Sequence, residues 1–202
     1  MSADAVNHHA DHPGFAGLTG LLIGLIMSLT GRAAARLAAD VASVSDADRV
    51  IDVGCGPGTA VREAARRGAR VTGVDPAPVM LRLARTLTWD RPAITWVDGS
   101  AKKLRERDAS ATVVWSLATV HHWRDVTAGL FEIKRVLAPG GRFLAIERLV
   151  RPGATGLASH GWTAQQAESF AAQCRAAGLA DVRVENHTPG GRALVVVRAV
   201  RP

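Results

Sequence analysis

At 202 residues the chain has the length of one domain with a sizeable core, and 48% hydrophobic against 21% charged residues excludes a disordered polymer. The formal charge of +7 raises nucleic acid or anionic lipid as partners. Yet the arginines are dispersed, lysine occurs only at Lys102, Lys103 and Lys134, and no basic run exceeds two residues, so the surface is expected to be solvated and to bind no nucleic acid.

The first dozen residues carry Asp4, His8, His9, Asp11 and His12. These are metal-ligand types, but no helix or turn spacing fixes them, so they are taken as a loosely held polar N-terminus and no metal is assigned. From Phe15 to Leu29 the chain is apolar, and Leu18, Leu21, Leu22, Leu25, Ile26 and Leu29 recur at helical spacing. The stretch is too short for a transmembrane span. It predicts a helix that packs on the main domain and walls a substrate pocket, with peripheral membrane contact through residues 15–29 as the alternative. A second helix is expected from Arg32 to Val44. Residues 1–44 then form a helical segment on a domain spanning 45–202.

Val50-Ile51-Asp52-Val53 runs as a strand into Gly54-Cys55-Gly56-Pro57-Gly58, three glycines at alternate positions. Such a turn between strand and helix suits a nucleotide-like ligand, because glycine permits positive φ and close approach. Its spacing differs from the G-x-G-x-x-G of dinucleotide sites. A helix follows from Thr59 to Arg67, then a strand from Ala69 to Val74 ending at Asp75-Pro76, and a helix to about Thr88. The third strand, Ala93 to Val97, ends at Asp98-Gly99-Ser100. The fourth, Ala111 to Trp115, runs into Ser116 and then His121-His122-Trp123. A helix from Val126 to Leu137 stops at Pro139-Gly140-Gly141, and strand five spans Arg142 to Glu147. A loop from Arg151 to Gly161, carrying His160 before Trp162, leads to a helix from Thr163 to Ala177. Val182 to His187 and Arg192 to Val200 read as a closing antiparallel hairpin. Cys55 and Cys174 lie far apart, one inside the glycine turn, which predicts no disulfide framework and a cytoplasmic setting.

Alternating strands and helices predict an α/β fold, a parallel sheet with helices on both faces. Ligands of such sheets bind beyond the carboxyl ends of the strands, where the glycine turn, Asp75, Asp98 and Ser116 to Trp123 all fall. A carboxylate at Asp75 suits two vicinal ribose hydroxyls, and Asp98 with Gly99 and Ser100 suits an adenine amino group.

Together, Val50 to Gly58, Gly73-Val74-Asp75-Pro76, Asp98-Gly99 and Arg135 to Arg142 resemble the class I S-adenosylmethionine-dependent methyltransferases, within them the small-molecule group of ubiquinone/menaquinone type. The resemblance covers Arg49 to about Glu147. It implies a Rossmann-like seven-stranded sheet of order 3-2-1-4-5-7-6 with strand seven antiparallel. It implies S-adenosylmethionine as cofactor, S-adenosylhomocysteine as product and a small-molecule acceptor. Carried over by position, Gly54, Cys55, Gly56 and Gly58 lie against the methionine portion and Asp52 holds the loop and the cofactor's amino group. Asp75, with Pro76, binds the ribose, while Asp98, Gly99 and Ser100 meet the adenine and Ser116 faces the methionine end. His121 or His122 is the candidate base, since imidazole titrates near neutrality. Trp123, His160 and Trp162 are the candidate pocket wall. Three readings compete: an NAD(P)-dependent oxidoreductase, a non-catalytic binding module, and a nucleic-acid methyltransferase. The last is disfavoured because Ser116 to Val120 replaces its Asn/Asp-Pro-Pro-aromatic segment. The acceptor atom and the oligomeric state are not legible in the sequence.

Overall fold

The period-2 alternation of the strands sorts their side chains onto two faces, and each face has its own core. β1 (Arg49–Val53) sends Val50 to one side and Ile51 and Val53 to the other. A computed structural model describes residues 6–9, 17–89 and 91–202; Asp4, Asp11, His12 and Phe15 lie outside the described residues. Seven strands form one sheet of order β3-β2-β1-β4-β5-β7-β6, with β2 at Arg70–Asp75, β3 at Ile94–Asp98, β4 at Ala111–Leu117, β5 at Leu137–Arg148, β6 at Ala180–His187 and β7 at Leu194–Val200. The first five strands are parallel, and β7 is antiparallel to both β5 and β6.

Six α-helices lie around the sheet among the described residues. They are α1 (Gly17–Thr30), α2 (Arg32–Val41), α3 (Thr59–Arg66), α4 (Pro78–Thr86), α5 (Val126–Val136) and α6 (Ala164–Ala176). Val50, Val113, Trp115, Leu144 and Ile146 pack with Ala35, Ala38, Ala39 of α2 and Val61, Ala64 of α3. On the opposite face, Ile51, Val114, Phe143 and Val195 pack with Leu130 and Ile133 of α5 and Phe170 and Cys174 of α6. Both cysteines are free and buried.

Strand five starts earlier than its sequence suggests. Leu137 leaves the helix with φ −65° and ψ 136° and pairs at once with Ala111, and the register shifts before Val113. Pro139-Gly140-Gly141 is therefore a bulge in the strand. It is held by Arg201, whose carbonyl accepts from Gly140 N at 2.8 Å and whose N–H donates to Gly141 O at 2.9 Å.

The apolar helix α1 also differs from expectation. Leu22, Leu25, Ile26 and Leu29 face solvent, while Gly24 is buried. A Cβ on Gly24 would lie 3.0 Å from Leu83 Cδ2 and 3.1 Å from Met80 Sδ. Bulky side chains on α4 thus leave little room beyond glycine at the crossing. No helix among the described residues is long and apolar enough to cross a membrane.

At the opposite end of the sheet from the glycine turn, Asp48 ties three strands together. Its carboxylate accepts from Ser45 N at 2.9 Å and Thr112 Oγ1 at 2.7 Å, and pairs with Arg142. Burial works against its charge, but the bonds from Thr112 and Ser45 and the Arg142 guanidinium hold its pKa below the ordinary value. Asp48→Ala should cost about 2 kcal/mol in urea unfolding at neutral pH. Because the folded pKa is depressed, that difference should shrink as pH falls through the folded pKa.

Candidate active site

All three loop glycines take up left-handed backbone: φ is 77° at Gly54, 52° at Gly56 and 79° at Gly58. The turn is bound to the end of β2. Gly54 N and Cys55 N donate to the Val74 carbonyl at 2.8 and 3.0 Å, and Gly56 N donates to Asp75 Oδ2 at 2.8 Å. Gly58 N closes the turn onto Cys55 O at 2.9 Å. The other Asp75 oxygen accepts from Ala77 N at 2.8 Å, at the start of α4. Each oxygen keeps a lone pair for a further donor. Pro76 is exposed in the turn between β2 and α4.

Trp96, which the sequence did not single out, packs beneath this loop. A Cβ on Gly58 would sit 2.2 Å from its Cη2, and one on Gly73 2.5 Å from its Cζ3. Trp96, Gly73, Asp52 and Trp115 are register partners across β3, β2, β1 and β4, so they share one face. Gly73 leaves the space that the indole fills. Only a pairing map could have connected these residues.

Carboxylates collect at the same strand ends. Asp52 is buried, and burial raises its pKa to about 7, opposed by the Trp115 indole and reinforced by Asp75. Burial likewise raises the Asp75 pKa against its two backbone donors, and Asp98, its register partner on β3, raises it further. Asp98 is exposed, followed by half-buried Gly99 and Ser100. The Cys55 thiol is pushed well up by burial and by Asp52 and Asp75, so it is no nucleophile.

A cavity of about 320 Å³ adjoins the loop. Asp52, Gly54 and Cys55 line one side, Leu117, Ala118, Ile146 and Glu147 another, and Thr30 and Gly31 at the α1–α2 junction a third. Ala118 holds a left-handed backbone (φ 55°), an uncommon conformation for alanine, at this wall. A smaller cavity of about 230 Å³, between Val41, Arg142 and Arg198, lies at the opposite end of the sheet and contains none of the expected site residues.

The structure redraws several expectations. Ser116 is fully buried and bonded to Thr119, whose hydroxyl donates to Val53 O at 3.1 Å. It therefore steadies the residue that faces Gly54, while Leu117 and Ala118 reach the cavity. Trp123 is a core residue packed on Gly129. Trp162 is fully buried, its indole bonded to Val6 O at 2.8 Å and its ring against Phe170. Neither tryptophan lines the cavity. His121 and His122 do not line it either; Glu147 does, with Asp52, Arg148 and Arg192, and His121 lies behind Glu147, Nδ1 at 2.8 Å from Oε2. Burial, with His121 alongside, lowers the His122 pKa to about 4. His160 joins these two imidazoles rather than a pocket wall. His8 and His9, expected to be loosely held, are packed: His9 N donates to His121 O at 2.9 Å, and the His9 ring stacks on His160.

A family model for a methyltransferase domain matches residues 51–145, the span from within β1 to within β5. Residues 51–145 thus carry a methyltransferase domain. It is 34% identical over 116 residues to a 27-O-demethylrifamycin SV methyltransferase of Amycolatopsis mediterranei, covering 54% of this chain and 42% of that one. It is 36% identical over 140 residues to a demethylmenaquinone methyltransferase of Deinococcus radiodurans, covering 67% and 57%. The methyltransferase domain thus spans about half the length of these curated relatives. A solved S-adenosylmethionine-dependent methyltransferase from Aquifex aeolicus superimposes with a TM-score of 0.75 at 15% identity, covering 90% of this chain and 98% of that one. The likeness therefore lies in the fold.

Gly54→Ala places a Cβ 2.6 Å from Thr119 Oγ1 on a backbone at φ 77°. It should cost about 2 kcal/mol, read as a lowered Tm, with Thr119→Ser relieving part of the loss.

Proposed function

We propose that this methyltransferase domain transfers a methyl group from S-adenosylmethionine to a small lipophilic acceptor. The observation that carries the reading is the chemistry of the loop. A pyrophosphate site offers free N–H groups at the strand–helix turn. Here the N–H groups of Gly54, Cys55, Gly56 and Gly58 are already bound to Val74 O, Asp75 and Cys55 O, and three carboxylates surround them. Such a site repels a dinucleotide phosphate and attracts a cation, which separates the proposal from an NAD(P)-dependent oxidoreductase. Asp52, buried beside the cavity with the Trp115 indole alongside, is matched to an ammonium or sulfonium. Asp75 keeps lone pairs for ribose hydroxyls while its other pairs hold the loop.

When bound, S-adenosylmethionine supplies an activated methyl on sulfur, so the protein's task is orientation and exclusion of water. Leu117, Ala118 and Ile146 give the cavity an apolar wall, and Glu147 is the one carboxylate there on β5. Its carboxylate is turned away from the cavity space, held by Val120 N and His121 Nδ1. The exposed leucines of α1 lead toward Thr30 and Gly31 at the cavity, a route suited to a lipophilic acceptor. The names of the two relatives, methylating a demethylrifamycin and a demethylmenaquinone, support a small-molecule acceptor.

Calorimetric titration with S-adenosylmethionine and with NADH tests the cofactor; binding of NADH alone would sink the proposal. Transfer of labelled methyl into organic extracts tests the acceptor class, and label confined to protein or nucleic acid would overturn it. Asp75→Ala should weaken S-adenosylmethionine binding about tenfold or more with unchanged far-UV circular dichroism. Ionised Asp52 is the form that attracts the cation, and its pKa stands at about 7. Affinity should therefore rise about tenfold between pH 6 and pH 8, and Asp52→Asn should flatten that dependence.

A further inference from the structure

Behind Glu147, on the side away from the glycine turn, five histidines from three segments converge. His121 and His122 come from a 3-10 turn after β4 (Val120–His122), His160 from the loop after β5, and His8 and His9 from the segment at residues 6–9. Ring centroids lie 4.2 Å apart for His121 and His122, 5.5 Å for His122 and His160, and 5.6 Å for His121 and His160. One imidazole nitrogen from each of these three falls within 4.8 Å of the others.

The orientation of His121 is built. The Glu147 carboxylate, almost fully buried, accepts from Val120 N at 3.0 Å and from His121 Nδ1 at 2.8 Å. A carboxylate accepts only, so the ring proton sits on Nδ1 and the lone pair on Nε2. That Nε2 is buried, and no hydrogen-bond partner satisfies it among the described residues. An unsatisfied buried nitrogen is costly unless something outside the chain binds it. Carboxylate to imidazole Nδ1–H, with a metal on Nε2, is the usual way a protein orients a metal-binding histidine.

The loop that brings in His160 is also fixed. Trp162 N donates to Arg148 O at 2.9 Å and Val150 N to Trp162 O at 2.8 Å, so the chain runs beside the end of β5. Gly161, at φ 139°, lies so close to Arg148 O that a Cβ would sit 2.2 Å from it.

We propose that His121, His122 and His160 form a three-imidazole site for a first-row divalent cation, of which Zn²⁺ is the test case, with Glu147 orienting His121. Three imidazoles at about 2.0–2.1 Å and one open position are a common zinc geometry. Tetrahedral ligands at that distance stand roughly 3.4 Å apart. Rotation of the half-buried His122 and His160 rings toward a fixed His121 closes the gap. His9, stacked on His160, encloses the site from the N-terminal side. The site does not depend on which cofactor occupies the glycine turn.

The test uses untagged, chelator-treated full chain, titrated with Zn²⁺ against a chromophoric competitor, and with Co²⁺ for its ligand-field spectrum. One equivalent should bind with a dissociation constant below about 1 μM, and Co²⁺ should show a four- or five-coordinate nitrogen site. Glu147→Gln should weaken binding about 10–100-fold, and His160→Gln at least as much, while His187→Ala on β6 should leave it unchanged. His160 is half-buried in a largely exposed loop, so its variant reports even if His121→Ala fails to fold. Absence of stoichiometric binding by the unaltered chain overturns the proposal. So does retained affinity in the His121→Ala/His122→Ala/His160→Ala variant, which would move the metal to the N-terminal histidines.

Discussion

The Val74 carbonyl and the Asp75 carboxylate, at the end of β2, accept three consecutive N–H groups from the β1–α3 turn. Those bonds require three left-handed residues in five, which only glycine supplies without strain. Fixing the turn also fixes the start of α3, the position of Asp52 beside it and the space that Trp96 fills under it. The same bonds consume the donors that would otherwise bind phosphate. A single hydrogen-bonding arrangement therefore sets both the shape of the cofactor site and the sign of charge that it accepts.

The carboxylates continue that logic. Burial raises the pKa of both Asp52 and Asp75; Asp75 adds to the rise at Asp52, and Asp98 adds to Asp75 from β3. Like charges gathered in a low-dielectric site are unfavourable until a cation arrives. In a methyltransferase domain this is an electrostatic preference built before the ligand binds. Further along the sheet, Glu147 stands between two environments, with the cavity on one side and His121 on the other. Its two oxygens serve the backbone of Val120 and the imidazole, which locks the segment after β4 against β5.

Local signals in the chain were legible. Alternating apolar residues marked the strands, and Gly54, Gly56 and Gly58 marked the turn. Asp75 and Asp98, placed at strand ends, marked the same edge of the sheet. Features that depend on distant packing were not legible. The burial of Gly24 depends on Met80 and Leu83, some 60 residues away in sequence. Trp123 and Trp162 look like pocket aromatics in a loop-rich stretch, but α5 and Val6 O bury them. The histidines stand in three separate stretches, and only the ends of β4 and β5 bring them together. Glu147 looked like a plain strand terminus, because its partner His121 belongs to a different strand–loop unit.

The strand order carries a consequence for how the domain is made. β7 lies between β5 and β6, so β6 has no place in the sheet until β7 arrives. On a ribosome the chain emerges from its N-terminal side. The parallel strands from β1 to β5 can assemble first, while residues 180–187 wait unpaired and β5 keeps an open edge. Open edges recruit other strands, and non-local pairings form slowly. The Pro189-Gly190-Gly191 turn, tight and with Gly190 and Gly191 both at positive φ, shortens that wait by folding β7 back on β6 as soon as it is synthesised. The hairpin then docks as a unit, and insertion of its inner strand beside β5 seals the sheet.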